Sequence, residues 1–345
     1  MVSCILFTKT CVVNNPVKFL LSIILRLGAC SAIYSAAALV INPNQTGPLH
    51  LFPPALVDDR IPKTRLIEKF ASDSPVEGLV LGSSRALPIS PKVLASMTGM
   101  RYFNFAVSAA KISDIAGIYE GVLGRGIHPR HIVVGLDVDH LLGRKKVEER
   151  KIAIANGAVV PRLYQFLLDV RSTFTVEYTH DMILWVAFQA GLLPARSGNV
   201  FDAAGTSVAH EGHLSKDQFH DAVSGCAARM HEEILRYDMV SDLQFADLKR
   251  LLLRASTDGA KVEFFTTPIN PMAQSEIVEG TSYNSLRKTA MLRLSRELGQ
   301  FRSSIHDLAN ARSLKEGVEG WSDCVHYTSR NGDVIIREIL SPGSN

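Results

Sequence analysis

The sequence predicts an α/β protein on a central parallel sheet, and three observations lead there. Short, largely apolar runs without hydrophobic–polar alternation, such as residues 131–138 (HIVVGLDV), alternate with amphipathic helical segments. Strands covered on both faces by helices read this way, because neither side of the pleat meets water. Several runs end in small or polar residues, notably Gly82-Ser83-Ser84 and Asp137 to His140. Those are the carboxyl ends of strands, where open parallel sheets hold their sites.

The elements follow in order. Residues 76–81 (VEGLVL) form the first expected strand and 102–107 (YFNFAV) the second. Residues 113–123 place Ile115, Ala116, Tyr119, Val122 and Leu123 on one helical face, with Gly124 to end it. Residues 131–138 are the third strand. Residues 241–255 are a helix stopped by Asp258-Gly259, and 261–266 (KVEFFT) the fourth strand. A helix over 285–298, a fifth strand over 303–308 and a terminal helix containing 334–340 complete the alternation. Residues 141–240 interrupt it. They read as mainly helical (163–170, 181–193 and 217–235), an insertion over the site or a cap facing a membrane.

The amino-terminal part differs. In residues 19–41 the only charge is Arg26, and the run is long enough to cross a bilayer. Lys9 and Lys18 precede it and Asn42-Pro43-Asn44 closes it. The expected organisation is a cytoplasmic tail and transmembrane anchor over 1–45, a linker over 46–75, and a domain over 76–345. Cations before the span would place that domain outside the cytoplasm, on a single-pass protein of the cytoplasmic membrane. A cleaved signal peptide or a lipidated Cys30 fits less well, because the apolar run continues past Cys30.

Composition excludes some classes. A net charge of +3 over 345 residues, without a long Lys/Arg run, gives no footprint for nucleic acid. Of five cysteines only Cys226 and Cys324 lie beyond the amino-terminal run, and spacing alone leaves their pairing open. His210-Glu211-Gly212-His213 brings two imidazoles together without a third ligand at a recognisable spacing, so no metal is expected.

The chemistry-bearing candidates are Ser84, at a strand-end turn, and the late segment Trp321-Ser322-Asp323-Cys324-Val325-His326. A serine hydroxyl needs a base to take its proton and a carboxylate to orient that base. Asp323 and His326, three residues apart, can share one face of a turn. Asp-x-x-His also occurs at Asp137/His140 and Asp217/His220. The first of these lies at a strand end and is the rival base pair; the second belongs to a solvated helical face.

A Gly-x-Ser turn after the first strand, Asn104 to Ser108 after the second, and a late Asp-x-x-His together resemble the SGNH (GDSL-like) hydrolases. The resemblance covers roughly residues 76–140 and 260–340. It implies a flavodoxin-like three-layer sandwich, with Ser84 as nucleophile, His326 as base and Asp323 orienting it. The backbone amides of Ser84 and Ala109 would form the oxyanion hole. Ser83 stands where the family has Asp, Ala109 where it has Gly, and Asp137 where it has Asn. Asn104, Asp137 and Arg85 become candidates for oxyanion or substrate contact. With an anchor, the chain resembles the exported acyltransferases of surface-polysaccharide loci. That implies an esterase or O-acyltransferase acting on carbohydrate, without cofactor, alongside other membrane proteins of polysaccharide synthesis. The alternative, favoured by an anionic Asp137 at an oxyanion position, is a silent relative that binds polysaccharide or scaffolds its synthesis.

Overall fold

The computed structural model describes residues 16–41, 59–149, 201–207, 214–309 and 313–341, with isolated positions between 179 and 192. The chain divides into two compact units, residues 1–56 with 160–196 and residues 57–159 with 197–345. In the first, α1 (Pro16–Ile41) is a helix of 26 residues, and Tyr34 Oη lies 2.7 Å from Thr179 Oγ1. Among the described residues no helix is long and apolar enough to cross a membrane. The transmembrane anchor expected over 19–41 therefore finds no support in α1. These residues fall within α1, which carries Arg26 in its interior, a charge that is costly at bilayer depth.

The second unit holds the sheet. Its strands are β1 (Gly78–Leu81), β2 (Tyr102–Asn104), β3 (His131–Leu136), β6 (Lys261–Thr266) and β7 (Ser303–His306). They pair in the order β2-β1-β3-β6-β7, every pair parallel. In this order the chain steps outward from β1 to β2, then returns to the other side of β1 with β3. The carboxyl ends of β1 and β3 therefore flank the topological switch point, where a crevice opens. All residues of β1 and β3 are buried, as expected for strands covered on both faces.

The helices between are α2 (Arg60–Asp73), α3 (Pro91–Thr98), α4 (Ile112–Leu123), α5 (Lys216–Ile234), α6 (Asp242–Thr257), α7 (Pro271–Val278), α8 (Tyr283–Leu298), the single turn α9 (Gly317–Gly320) and α10 (Ser329–Leu340). Their boundaries follow local chemistry. Ser90 caps α3 by accepting from the Val93 N–H, and Ser241 caps α6 by accepting from the Gln244 N–H. The apolar stripe of α4 packs against that of α6.

The second strand is shorter than the 102–107 expected, but the chain keeps bonding to β1 beyond Asn104. Phe105 N donates to Val80 O, and Val107 N to Gly82 O. The insertion has a defined neck. β4 (Leu142–Gly143) pairs antiparallel with β5 (Met239–Val240), bringing the two ends of the insertion side by side. The helices expected over 163–170 and most of 181–193 lie outside the described residues.

One charged side chain is buried in full. Lys63 of α2 has 0% of its surface exposed. Its Nζ donates to Asn104 O at 3.0 Å and Ala106 O at 2.6 Å. Burial, partly offset by Asp59 and Asp202, pushes the ammonium down to about 7. In the unfolded chain a lysine titrates near 10.4. Between these values the unfolded state binds the extra proton, so stability must rise with pH. Urea denaturation should show unfolding free energy increasing by about 2 kcal/mol from pH 7 to 9. Lys63→Met should flatten that rise, and an unchanged slope would count against the assignment.

Candidate active site

The carboxyl end of β1 turns sharply at Gly82, whose φ of 147° suits only glycine. A Cβ there would lie 2.7 Å from the Ala86 Cβ and 2.9 Å from Gly135 O. The turn passes into a short 3₁₀ segment, Ser84–Ala86, capped by Ser83 Oγ, which accepts from the Arg85 N–H. Ser83 is thereby turned inward, and the partly exposed Ser84 is presented at the crevice.

His326 meets it. Ser84 Oγ is 2.9 Å from His326 Nε2, across 242 residues of sequence. The other ring nitrogen, Nδ1, is 2.8 Å from Asp323 Oδ2. A carboxylate only accepts, so Nδ1 carries the proton and Nε2 is left to accept from the serine hydroxyl. Asp323 Oδ1 also accepts from the backbone N–H groups of Val325 and His326, each at 2.8 Å. Burial works to raise the Asp323 pKa. The hydrogen bond and charge of His326 and those two amides outweigh it and hold the carboxyl below its usual range.

Two ties from outside and one across its own base fix this loop. Asn270, after β6, donates its backbone N–H to Cys324 O at 2.9 Å and its side-chain amide to Asp323 O at 3.2 Å. Cys324 is joined to Cys226 of α5 by a disulfide. Trp321 and Tyr327 form an antiparallel bridge closing the base of the loop, with their rings edge to face at 6.2 Å. The disulfide thus lies between the two residues of the Asp-His pair, tying them to the insertion.

The loop after β2 supplies Ala109, which adopts φ 56°, the only positive φ outside glycine among the described residues. This is the backbone conformation glycine takes readily and alanine takes at a cost. Neither the Ser84 nor the Ala109 amide N–H has an acceptor among the described residues. Asn104, by contrast, is fully buried and committed. Its Nδ2 donates to the carbonyls of Ala86, Leu87 and Ile89, and its Oδ1 accepts from Ala106 N–H. An amide with both hydrogens so held has none to offer an oxyanion, so Asn104 ties the β2 loop to the nucleophile turn instead.

Asp137 and Arg85 belong together. Asp137 is buried, accepts from Thr267 Oγ1 at 2.6 Å and faces Arg85 Nη1 at 3.6 Å. Arg85, also buried, pairs with Asp139 through Nη1 at 3.0 Å and Nη2 at 3.4 Å. Burial would lower its pKa, but Asp137 and Asp139 raise it above the ordinary value. Asp139 is held low against the opposing effect of burial by Arg85 and His140. Arg85 is therefore inward, satisfied by two carboxylates, rather than a contact for an anionic substrate. The rival base His140 lies 3.6 Å from Asp137 and 4.0 Å from Asp139, and the imidazole within reach of Ser84 is His326. His220 is exposed and bonds Lys216 O in its own helix.

Residue order did not point to Lys63 or Asn270, and it marked Asp139 only as part of a strand end; their roles depend on contacts 41 to 54 residues away. Among the described residues, the donor atoms of Cys226, Asp323 and Cys324 lie close enough to hold a metal, but the sulfurs are bonded to each other. His210 to His213 lie outside the described residues.

No protein-family profile matches the chain, and no curated protein is significantly similar. Among solved structures it is similar to a GDSL-like lipase from Bacteroides thetaiotaomicron, at 8% identity and a TM-score of 0.36, covering 81% of this chain and 94% of that one. A protein from Bacteroides fragilis provisionally described as an acylhydrolase gives 10% identity and a TM-score of 0.36 over 79% and 91%. One from Streptococcus pneumonia provisionally described as a platelet activating factor gives 8% and 0.38 over 82% and 91%. Likenesses this distant carry no reading of activity, which rests on the chain's own geometry.

The disulfide yields an expectation. Its loss typically costs about 2–5 kcal/mol in stability, and here it also frees the Asp323–His326 loop. Cys324→Ser, or reduction by a dithiol, should lower the thermal midpoint and the labelling rate of Ser84 by a fluorophosphonate. Labelling unchanged in a fully reduced protein would show that the other two ties suffice.

Proposed function

We propose that this protein is a serine esterase or O-acyltransferase of the SGNH type, in which Ser84, His326 and Asp323 form the catalytic triad. The observation that carries the proposal is the continuous hydrogen-bonded chain from Asp323 Oδ2 through His326 to Ser84 Oγ, at 2.8 and 2.9 Å, at the switch point of a parallel sheet.

The reaction follows from the donors and acceptors. Ser84 Oγ attacks the ester carbonyl carbon while its proton passes to His326 Nε2, and the carbonyl π pair moves onto oxygen. The resulting oxyanion is held by the free amides of Ser84 and Ala109, a contribution of about 10²–10³ in rate per donor. Asp323 stabilises the imidazolium. Collapse breaks the ester C–O bond and His326 returns the proton to the departing alkoxide, leaving Ser84 acylated. Water then completes hydrolysis, or a hydroxyl of a second molecule completes transfer, with His326 again taking the proton.

Asp137 does not oppose this, because its charge is compensated by Arg85 and its Oδ1 is engaged by Thr267. That weakens the case for a silent binding or scaffolding relative. The acyl acceptor or donor we favour is carbohydrate at the outer face of the cytoplasmic membrane. The Cys226–Cys324 disulfide supports export, since such bonds persist in oxidising compartments.

The test is turnover of a small acyl ester such as p-nitrophenyl acetate. Ser84→Ala and His326→Ala should each lower kcat by at least about 10³-fold. Asp323→Asn should lower it severely as well, by leaving the ring in the wrong tautomer. Wild-type activity that survives Ser84→Ala, or full polymer production in cells carrying it, would sink the enzyme reading.

A further inference from the structure

Resting on the esterase reading above, we infer that Asp59 and Lys63 of the α2 region are positioning residues that set the oxyanion amide of Ala109. They stand one helical turn apart, outside the strand and loop segments that bear the triad. Asp59 Oδ2 accepts from the Ser108 N–H at 2.8 Å. Lys63 Nζ donates to Asn104 O at 3.0 Å and to Ala106 O at 2.6 Å. Asn104 Oδ1 in turn accepts from the Ala106 N–H at 2.9 Å. Backbone groups of residues 104, 106 and 108 are thus each fixed by a side chain, in steps of two, up to the residue before Ala109.

This arrangement explains how Ala109 holds φ 56°. The left-handed region costs an L-residue about 1–2 kcal/mol, so a free loop would relax and turn the Ala109 N–H away. A carboxylate on the Ser108 amide fixes the peptide orientation immediately before it. An ammonium on the Asn104 and Ala106 carbonyls keeps the preceding stretch from sliding along β1. The ammonium is itself expensive to bury. It is faced by Asp59 and Asp202, and it sits 4.4 Å from the centroid of the Phe201 ring. A methionine would fill the same space more cheaply, so the amine has its use in the carbonyls its N–H groups grip. The function of the clamp is preorganisation: it holds a donor where negative charge develops, and a displacement of about 1 Å there can cost about 10²-fold in rate.

The experiment uses the full chain, p-nitrophenyl acetate as substrate and an alkyl boronic acid as probe, since its tetrahedral adduct with a serine needs the oxyanion amides. Asp59→Ala should lower kcat about 10- to 100-fold with KM within about twofold of wild type. Boronate affinity should fall in the same proportion, an effect that simple loss of stability in a folded variant would not produce. Asp59→Asn, which keeps an acceptor for the Ser108 N–H, should recover most of both losses. Lys63→Met should behave like Asp59→Ala, and if it fails to fold, the Asp59 pair carries the test. Folded Asp59→Ala protein with wild-type kcat and boronate affinity overturns the clamp while leaving the esterase standing. A wild type that turns over no ester overturns the esterase reading, and with it the catalytic meaning of the clamp.

Discussion

Two carboxylates, Asp137 and Asp139, leave the carboxyl end of β3 into a region nearly closed to water, and Arg85 is the cation that makes this tolerable. Removing one partner of such a buried cluster leaves a charge uncompensated, which costs far more than the net worth of the pair. The guanidinium also belongs to the residue after Ser84, so the ion pairs that satisfy β3 simultaneously hold the nucleophile turn against it. Thr267, at the end of β6, joins the same cluster through Asp137. Three adjacent strand ends are thereby locked at the switch point, and the serine takes its direction from that lock.

His326 arrives from elsewhere in the chain and needs its own supports. The loop from Trp321 to Tyr327 has little regular structure, so its geometry rests on Asn270, on the disulfide to α5, and on the bridge at its base. Asn270 and α5 lie in different segments, and the bridge joins the loop's own ends, which together limit the ways in which the loop can move as a whole. The disulfide differs from the others in depending on redox surroundings. It links the order of the Asp–His pair to the compartment in which the protein folds.

The two ends of the sheet are used differently. At the amino ends, His131 Nε2 lies 3.2 Å from a Glu263 carboxylate oxygen, and its Nδ1 meets Tyr102 Oη. Against burial, His131 and Lys261 hold Glu263 down to about 2. That network is local to the strand starts. At the carboxyl ends the amides of Ser84 and Ala109 are left without acceptors among the described residues. Donors left open beside a paired serine and imidazole mark the end where chemistry can occur.

Much of this could be read from residue order. Strand β6 occupies the 261–266 expected, because a short run carrying Val262, Phe264 and Phe265 between Gly259 and Pro268 has few alternatives. The meeting of Ser84, His326 and Asp323 was legible as an expectation because a strand-end Gly-x-Ser turn and a late Asp-x-x-His each leave short local patterns. The sequence by itself therefore determined the alternation of strands and helices and the identity of the chemistry-bearing side chains, since both depend on near neighbours in the chain. Only the tertiary structure decided which of three Asp-x-x-His pairs meets the serine, that Asn104 is a brace, that Asp137 is neutralised, and that Lys63 grips the loop before Ala109. Those outcomes depend on burial and on partners up to 242 residues away, and a buried charge declares its partner only when the chain has closed around it.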